Sequence, residues 1–242
     1  MTTWRVATVV GAVMESATAR SIWLEIPGLP TPRPGQHIDI RLTAPDGYST
    51  SRSYSLSDVR EGETVSVSVE ELDDGEVSPF LVHDLEIAEQ VEVAGPVGMQ
   101  FVWPPSEADA DRPVQLVGGG SGIAPLMSMV RWREAARPDV PMRLVYSTRS
   151  PDHAFYRDEF ALLTSTGRLR VDWFYSRSAS AGAARPAGRI RRDEFLAAVL
   201  PVESRPLFYL CGGNEYVETL GDWLLDAGYP IGDIRIERFL VT

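Results

Sequence analysis

Three short stretches hold the residue types best suited to chemistry. Residues 118–125 read GGGSGIAP, in which Gly119, Gly120, Ser121 and Gly122 follow the apolar run 114–117. Leu126, Met129 and Val130 come next at helical spacing. A glycine loop between a strand and a helix lets the backbone turn sharply and approach a pyrophosphate, and the helix start offers unpaired N–H groups and a positive dipole end. Pro125 falls in the first helical turn, where its missing N–H removes no intrahelical bond. The last glycine of the usual dinucleotide fingerprint is absent, because Pro125 stands in its place, so the loop alone leaves a plain strand-to-helix turn as the alternative.

Residues 50–58 read TSRSYSLSD. Arg52 offers a planar cation for a phosphate, Tyr54 a face for a flat ring, and Ser53 and Ser55 hydroxyls able to meet a ring nitrogen or a phosphate oxygen. Alternation puts Arg52 and Tyr54 on one side of a strand and Ser55 on the other; an ordinary exposed strand is the competing interpretation. The third stretch, Cys211-Gly212-Gly213, places a small polarizable side chain beside two residues that permit close approach. A buried small hydrophobe at a strand end would look the same.

The elements that must position these residues change character along the chain. Over residues 4–102 apolar residues alternate, as in Ile38, Ile40 and Leu42, in Val65, Val67 and Val69 with Ser66 and Ser68 between, and in Val91 and Val93. With turns at 34–35, 45–47 and 73–75, this period of two predicts antiparallel pairing with one buried face, hence a small barrel or sandwich. Residues 103–113, WPPSEADADRP, lack periodicity and read as a linker. Beyond them strands alternate with helices: a strand at 143–147, a helix around Phe160 and Leu163, a strand through Leu169 and Tyr175, and a helix capped by Asp193. A buried strand at 207–210, a helix ended by Gly228 and a strand at Ile234 and Ile236 complete the series. That order predicts a doubly wound parallel sheet. The expected domains are 1–105 and 112–242.

Composition narrows the function. One cysteine, Cys211, among 242 residues excludes a disulfide scaffold. A formal net charge of −11 argues against nucleic acid or an anionic membrane as partner. No apolar run reaches about 18 residues, and no charged leader with an apolar core opens the chain, so it reads as cytoplasmic. All 23 basic residues are arginine, and five of them, Arg177, Arg185, Arg189, Arg191 and Arg192, fall within residues 177–192; a solvated surface competes there with a local anion site. The three histidines and the carboxylates show no metal-ligand spacing, and no nucleophile elbow argues for hydrolysis.

Taken together, Arg52 to Ser55, then Gly75-Glu76-Val77-Ser78, Gly95-Pro96-Val97-Gly98, the loop at 118–125, Cys211-Gly212-Gly213 and Glu237-Arg238-Phe239 stand in the order and approximate spacing of the ferredoxin–NADP reductase superfamily, and the resemblance covers essentially the whole chain. It implies an N-terminal antiparallel Greek-key barrel that binds FAD and a C-terminal α/β domain that binds NADP or NAD. By that resemblance Arg52 takes the FAD pyrophosphate, Tyr54 lies against the isoalloxazine and ribityl, and Ser55 sits near flavin N5. Val67 and Val69 flank the ring and ribityl; Gly75, Val77 and Ser78 form a second pyrophosphate loop. Gly120 and Gly122 approach the nicotinamide dinucleotide, Cys211 stands beside nicotinamide C4, and Glu237 and Phe239 lie near the flavin, with a short tail at 240–242 beyond. Thr148, Arg149, Tyr156 and Arg157 fall where the adenosine ribose is expected, and Arg177 ends a neighbouring strand, so NADPH is preferred over NADH.

The implied activity is FAD-dependent reduction by NAD(P)H, with electrons passed on to a separate acceptor such as a ferredoxin, a haem protein or an oxygenase component. One cysteine leaves no ligand set for a built-in iron–sulfur cluster. A flavin reductase or oxidase working without a protein partner, and a nucleotide-binding or electron-transfer subunit of a larger complex, stay open as alternatives.

Overall fold

A computed structural model describes residues 3–72, 74–180, 183 and 185–239. The expected tail at 240–242 and Asp73 of the turn at 73–75 lie outside the described residues.

Alternating apolar residues build the first half. Strands β1 (Trp4–Ser16), β2 (Ala19–Glu25), β3 (His37–Thr43), β4 (Ser49–Glu61), β5 (Thr64–Glu70) and β6 (Gln90–Val97) close an antiparallel barrel in the order β1-β2-β5-β4-β3-β6. Its interior is filled by Ile22, Leu24, Ile38, Ile40, Leu56, Val65, Val67, Val69 and Val93, each at most 1% exposed. Burying one such aliphatic side chain contributes about 1.5–3 kcal/mol, so the period of two fixes which face turns inward. The turn at 45–47 joins β3 to β4 as expected, with Gly47 at φ +90°, where a side chain would be strained.

Strands β7 (Val114–Gly119), β8 (Met142–Thr148), β9 (Arg170–Tyr175), β10 (Leu207–Gly213) and β11 (Ile234–Phe239) form a parallel sheet in the order β11-β10-β7-β8-β9. Helices cover both faces. On one, α1 (Ile123–Ala136) and α2 (Arg157–Ser165) bury Leu126, Met129, Val130 and Phe160 against Leu116, Leu144 and Tyr209. On the other, α3 (Arg192–Ala198) and α4 (Asn214–Asp226) bury Phe195, Val217 and Leu220 against Val117, Phe208 and Leu210. Consecutive strand residues are thus buried on opposite sides, which is why these strands read as continuous apolar runs.

Three expectations change. The segment 103–113 is no free linker: Trp103 is fully buried and stacks edge-on with Trp132 of α1, ring centroids 5.2 Å apart, and Ala110 is 1% exposed. Its buried side chains, Trp103, Pro104 and Ala110, lie along an irregular path, so no periodicity announces them. Asp193 does not cap α3; Arg191 holds the N-cap position, and Glu194 reaches back to accept its N–H at 3.0 Å. The barrel also has no solvated face along β5, because Ser66 and Ser68 are buried under the second domain.

Candidate functional site

The two domains meet where β4 crosses α1 and the carboxyl end of the sheet. Within the sheet, parallel register sets Gly118 opposite Cys211 and Cys211 opposite Glu237. Across the domains, Ser55 Oγ on β4 donates to Glu237 Oε1 at 3.1 Å. Burial pushes the Glu237 carboxyl above the ordinary carboxylate range, and the Ser55 hydrogen bond pulls the other way. Cys211 is fully buried, and burial raises its thiol well above its usual value, so it stays a neutral thiol.

The glycines have distinct physical reasons. Gly120 sits at φ +56° with open space beside it. At Gly122 a Cβ would lie 2.4 Å from the Cys211 carbonyl oxygen, and at Gly119 it would lie 2.8 Å from the Tyr216 ring. At Gly212 a Cβ would stand 3.2 Å from the Gly119 Cα. The glycine loop and the Cys211-Gly212-Gly213 strand end therefore touch backbone to backbone. Gly120–Gly122 form a single 3-10 turn before α1, and Pro125 falls in the first turn of α1 as expected.

On the barrel side, Tyr54 Oη is buried without a hydrogen-bond partner among the described residues, and burial pushes its phenol up to about 12. An orphaned buried hydroxyl costs free energy unless something meets it. Arg52 is exposed; its guanidinium reaches only Ser51 O at 2.8 Å and Thr50 Oγ1 at 3.2 Å, with no carboxylate in ion-pair range among the described residues. Ser53 donates to Asp39 Oδ1. Gly75 makes a close turn in which a Cβ would lie 2.7 Å from Ser78 Oγ, and Ser78 Oγ accepts the Leu72 N–H at 3.1 Å. A free phenol, a cation without a carboxylate partner and a compact glycine turn fit a flat ring joined to a pyrophosphate.

Val67, Val69 and Val77 do not fit as side chains. All three are buried at 0–1% exposure in the barrel core, which leaves only their backbone for a ligand. On the nucleotide side, the exposed Arg149 and Arg177 are brought together at the ends of β8 and β9, where Arg177 N–H donates to Arg149 O at 2.9 Å. Exposed Arg157 opens α2, with Asp152 3.9 Å away. Thr148 is buried and its hydroxyl donates to His153 O at 3.3 Å. Tyr156 is a correction: it is buried, and its hydroxyl is taken up by Ser68 of the barrel. Gly213 precedes α4 as its N-cap, and Phe239, partly buried, pairs with Gly213 in register.

Sequence reasoning missed Arg131. It is 6% exposed on α1, donates to Ser57 O of β4 at 3.0 Å and pairs with Glu159 of α2 at 2.7 Å. The available signal was an arginine directly after the largely apolar run 123–130 of the same helix, ahead of Arg133 and Glu134. No group of three or more metal-ligating side chains occurs among the described residues, and none of their helices is long and apolar enough to cross a membrane.

A closed antiparallel barrel joined by a serine–glutamate contact to a doubly wound sheet with a glycine loop defines a two-domain oxidoreductase unit that binds a flavin and a nicotinamide dinucleotide. Residues 26–102 match the oxidoreductase FAD-binding domain family and residues 116–220 the oxidoreductase NAD-binding domain family. The chain belongs to the ferredoxin–NADP reductase superfamily, and FAD and NAD(P) are its cofactors. It is 29% identical over 240 residues to a flavohemoprotein of Xylella fastidiosa, covering 98% of this chain and 59% of that one. It is 28% identical to the glycine betaine monooxygenase reductase subunit of Chromohalobacter salexigens, over 87% of this chain and 56% of the relative. The chain thus spans less than two thirds of the length of the curated relatives it matches. Among solved structures, the FAD/NAD-binding domain of a nitric oxide dioxygenase from Vibrio cholerae superposes with a TM-score of 0.85 at 25% identity, covering 97% of this chain and 98% of that one.

Proposed function

We propose that the chain is an FAD-dependent NAD(P)H reductase that hands electrons to a separate acceptor, with residues 1–105 as its flavin unit and 112–242 as its nucleotide unit. The observation that carries this reading is the Ser55–Glu237 hydrogen bond, which joins the barrel to the sheet beside Cys211 and the glycine loop. FAD, when bound, supplies a two-electron acceptor for hydride and a store from which electrons leave one at a time.

The chain's own residues align the reactants and exclude water. Arg52, Gly75 and Ser78 hold the pyrophosphate, with the backbone at Val77 contributing alongside them, and Tyr54 supports the ring with its free hydroxyl toward the ribityl. Ser55 places its hydroxyl at the reacting edge, with its single proton turned to Glu237 and its lone pairs left to accept from a ring N–H. Gly119, Gly120, Ser121 and Gly122 bring backbone N–H groups to the dinucleotide phosphates. Cys211, neutral and small, with Gly212 and Gly213 leaves room for the nicotinamide near the flavin-facing strand, since close approach is what hydride transfer requires. Phe239 covers the same opening from β11.

Arg149, Arg157 and Arg177 at the adenosine end favour a 2′-phosphate, hence NADPH over NADH. The acceptor is a protein of electron-transfer type; the monooxygenase reductase subunit among the relatives supports that reading. Turnover of the purified chain with NADPH and an artificial one-electron acceptor, with FAD retained through gel filtration, tests it. A chain that sheds its flavin and reduces only free flavin would replace the acceptor-protein reading with a flavin-reductase one.

A further inference from the structure

The least expected feature of the domain boundary is a run of hydroxyls where an apolar contact would do. Tyr156, the residue before α2, is 4% exposed and held at φ 56°, ψ 29°, a left-handed conformation rare for a bulky residue. Such strain persists only where the surroundings over-determine it. Here the barrel does so from both ends of the residue: the Tyr156 N–H donates to Glu15 Oε2 of β1 at 2.8 Å, and its hydroxyl meets Ser68 Oγ of β5 in a short contact. Ser68 lies 3.2 Å from Ser57 Oγ on β4, and the Arg131 guanidinium sits 5.0 Å over the Tyr156 ring while donating to Ser57 O. All the buried hydroxyls of this run are paired, which makes it rigid. The two ends of the run are informative. One lies in the loop between β8 and α2, adjacent to Arg157 and beyond Arg149; the other lies in β4, two residues from Ser55.

We propose that Tyr156 is a positioning residue that couples the loop carrying Arg149 and Arg157 to β4, so that filling the adenosine subsite rigidifies the strand bearing Ser55. The role rests on the site assignment above. Tyr156 touches neither reacting ring; it acts through Ser68 and Ser57. Burial pushes its phenol up to about 12, so the hydroxyl keeps its proton across the ordinary working range.

Amide hydrogen exchange on the purified flavin-loaded chain tests this, with 2′,5′-ADP and 5′-AMP as probes that lack a nicotinamide. In the wild type the fragment that binds slows exchange both in residues 148–157 and in residues 52–58. In Tyr156→Phe, and independently in Ser68→Ala, protection of 148–157 persists and protection of 52–58 is lost. Flavin reduction by NADPH in both variants falls about tenfold, with KM little changed, as expected for a small misplacement of reacting groups. The proposal is overturned if neither fragment protects the loop, if the wild type transmits nothing to 52–58, or if both variants transmit as the wild type does while only Tm moves. A wild type that transmits protection yet is not reduced by either nucleotide would support the coupling and defeat the hydride-transfer reading.

Discussion

Ser55 of β4 and Glu237 of β11 lie 182 positions apart in sequence and 3.1 Å apart in space, the hydroxyl donating to the carboxylate across two domains. No other side-chain hydrogen bond among the described residues joins β4 to β11, so this pair reports directly on how the flavin-facing strand meets the nucleotide-facing one. Ser55→Ala is expected to slow flavin reduction by roughly ten- to a hundredfold, the equivalent of one charge-assisted hydrogen bond, while FAD stays bound. Stopped-flow reduction alongside flavin content checks it; an unchanged rate removes Ser55 from the reaction.

Gly122→Ala places a methyl group 2.4 Å from the Cys211 carbonyl oxygen, a backbone atom that cannot swing aside. The loop must move away from β10, at a cost of about 1–3 kcal/mol as for other overpacked sites. A lower Tm together with weaker NADPH binding is expected, because the same backbone contact holds the loop and the strand end together. Thermal unfolding and nucleotide titration measure the two effects.

The Glu237 carboxyl has its pKa raised in the fold. A carboxyl that holds its proton more tightly when folded contributes most to stability below its unfolded value, near 4.5, and that contribution is lost as pH rises through the folded value. Glu237→Gln, which keeps an oxygen for Ser55 and cannot ionise, should therefore raise Tm relative to the wild type at pH 7 and above, with the difference shrinking toward pH 4. A difference independent of pH would contradict the burial argument.

How much of this was legible in the residues depended on whether neighbours in space were also neighbours in pattern. The barrel strands could be read because Ile38, Ile40, Val65, Val67 and Val69 face one interior at every second position. The same alternation made Ser66 and Ser68 look solvated, since a period of two cannot tell water from a second domain. Val67 and Val69 were assigned to the ligand by family position, and their side chains are buried in the barrel core. Residues 103–113 looked like a linker because Trp103, Pro104 and Ala110 are buried without periodicity. The glycine loop was found by its strand and helix flanks, whereas Arg131 and Tyr156 were not found as domain contacts, because their partners Ser57, Ser68 and Glu159 are distant in sequence.

The proposed preference for NADPH rests on Arg149, Arg157 and Arg177. Replacing Arg149 or Arg177 by alanine should raise KM for NADPH by roughly ten- to a hundredfold, the equivalent of one charge-assisted hydrogen bond, and leave KM for NADH nearly unchanged. Steady-state comparison of the two nucleotides in each variant settles the matter; equal losses with both would move those side chains off the 2′-phosphate.

The most direct test of hydride transfer between nicotinamide and flavin is anaerobic mixing of the purified yellow protein with a slight excess of NADPH, and separately of NADH, while the flavin absorbance is followed. The proposed function predicts full bleaching within one turnover, faster with NADPH, and slower again when the C4 hydrogen transferred is deuterium. Flavin that stays oxidised with both nucleotides would contradict it.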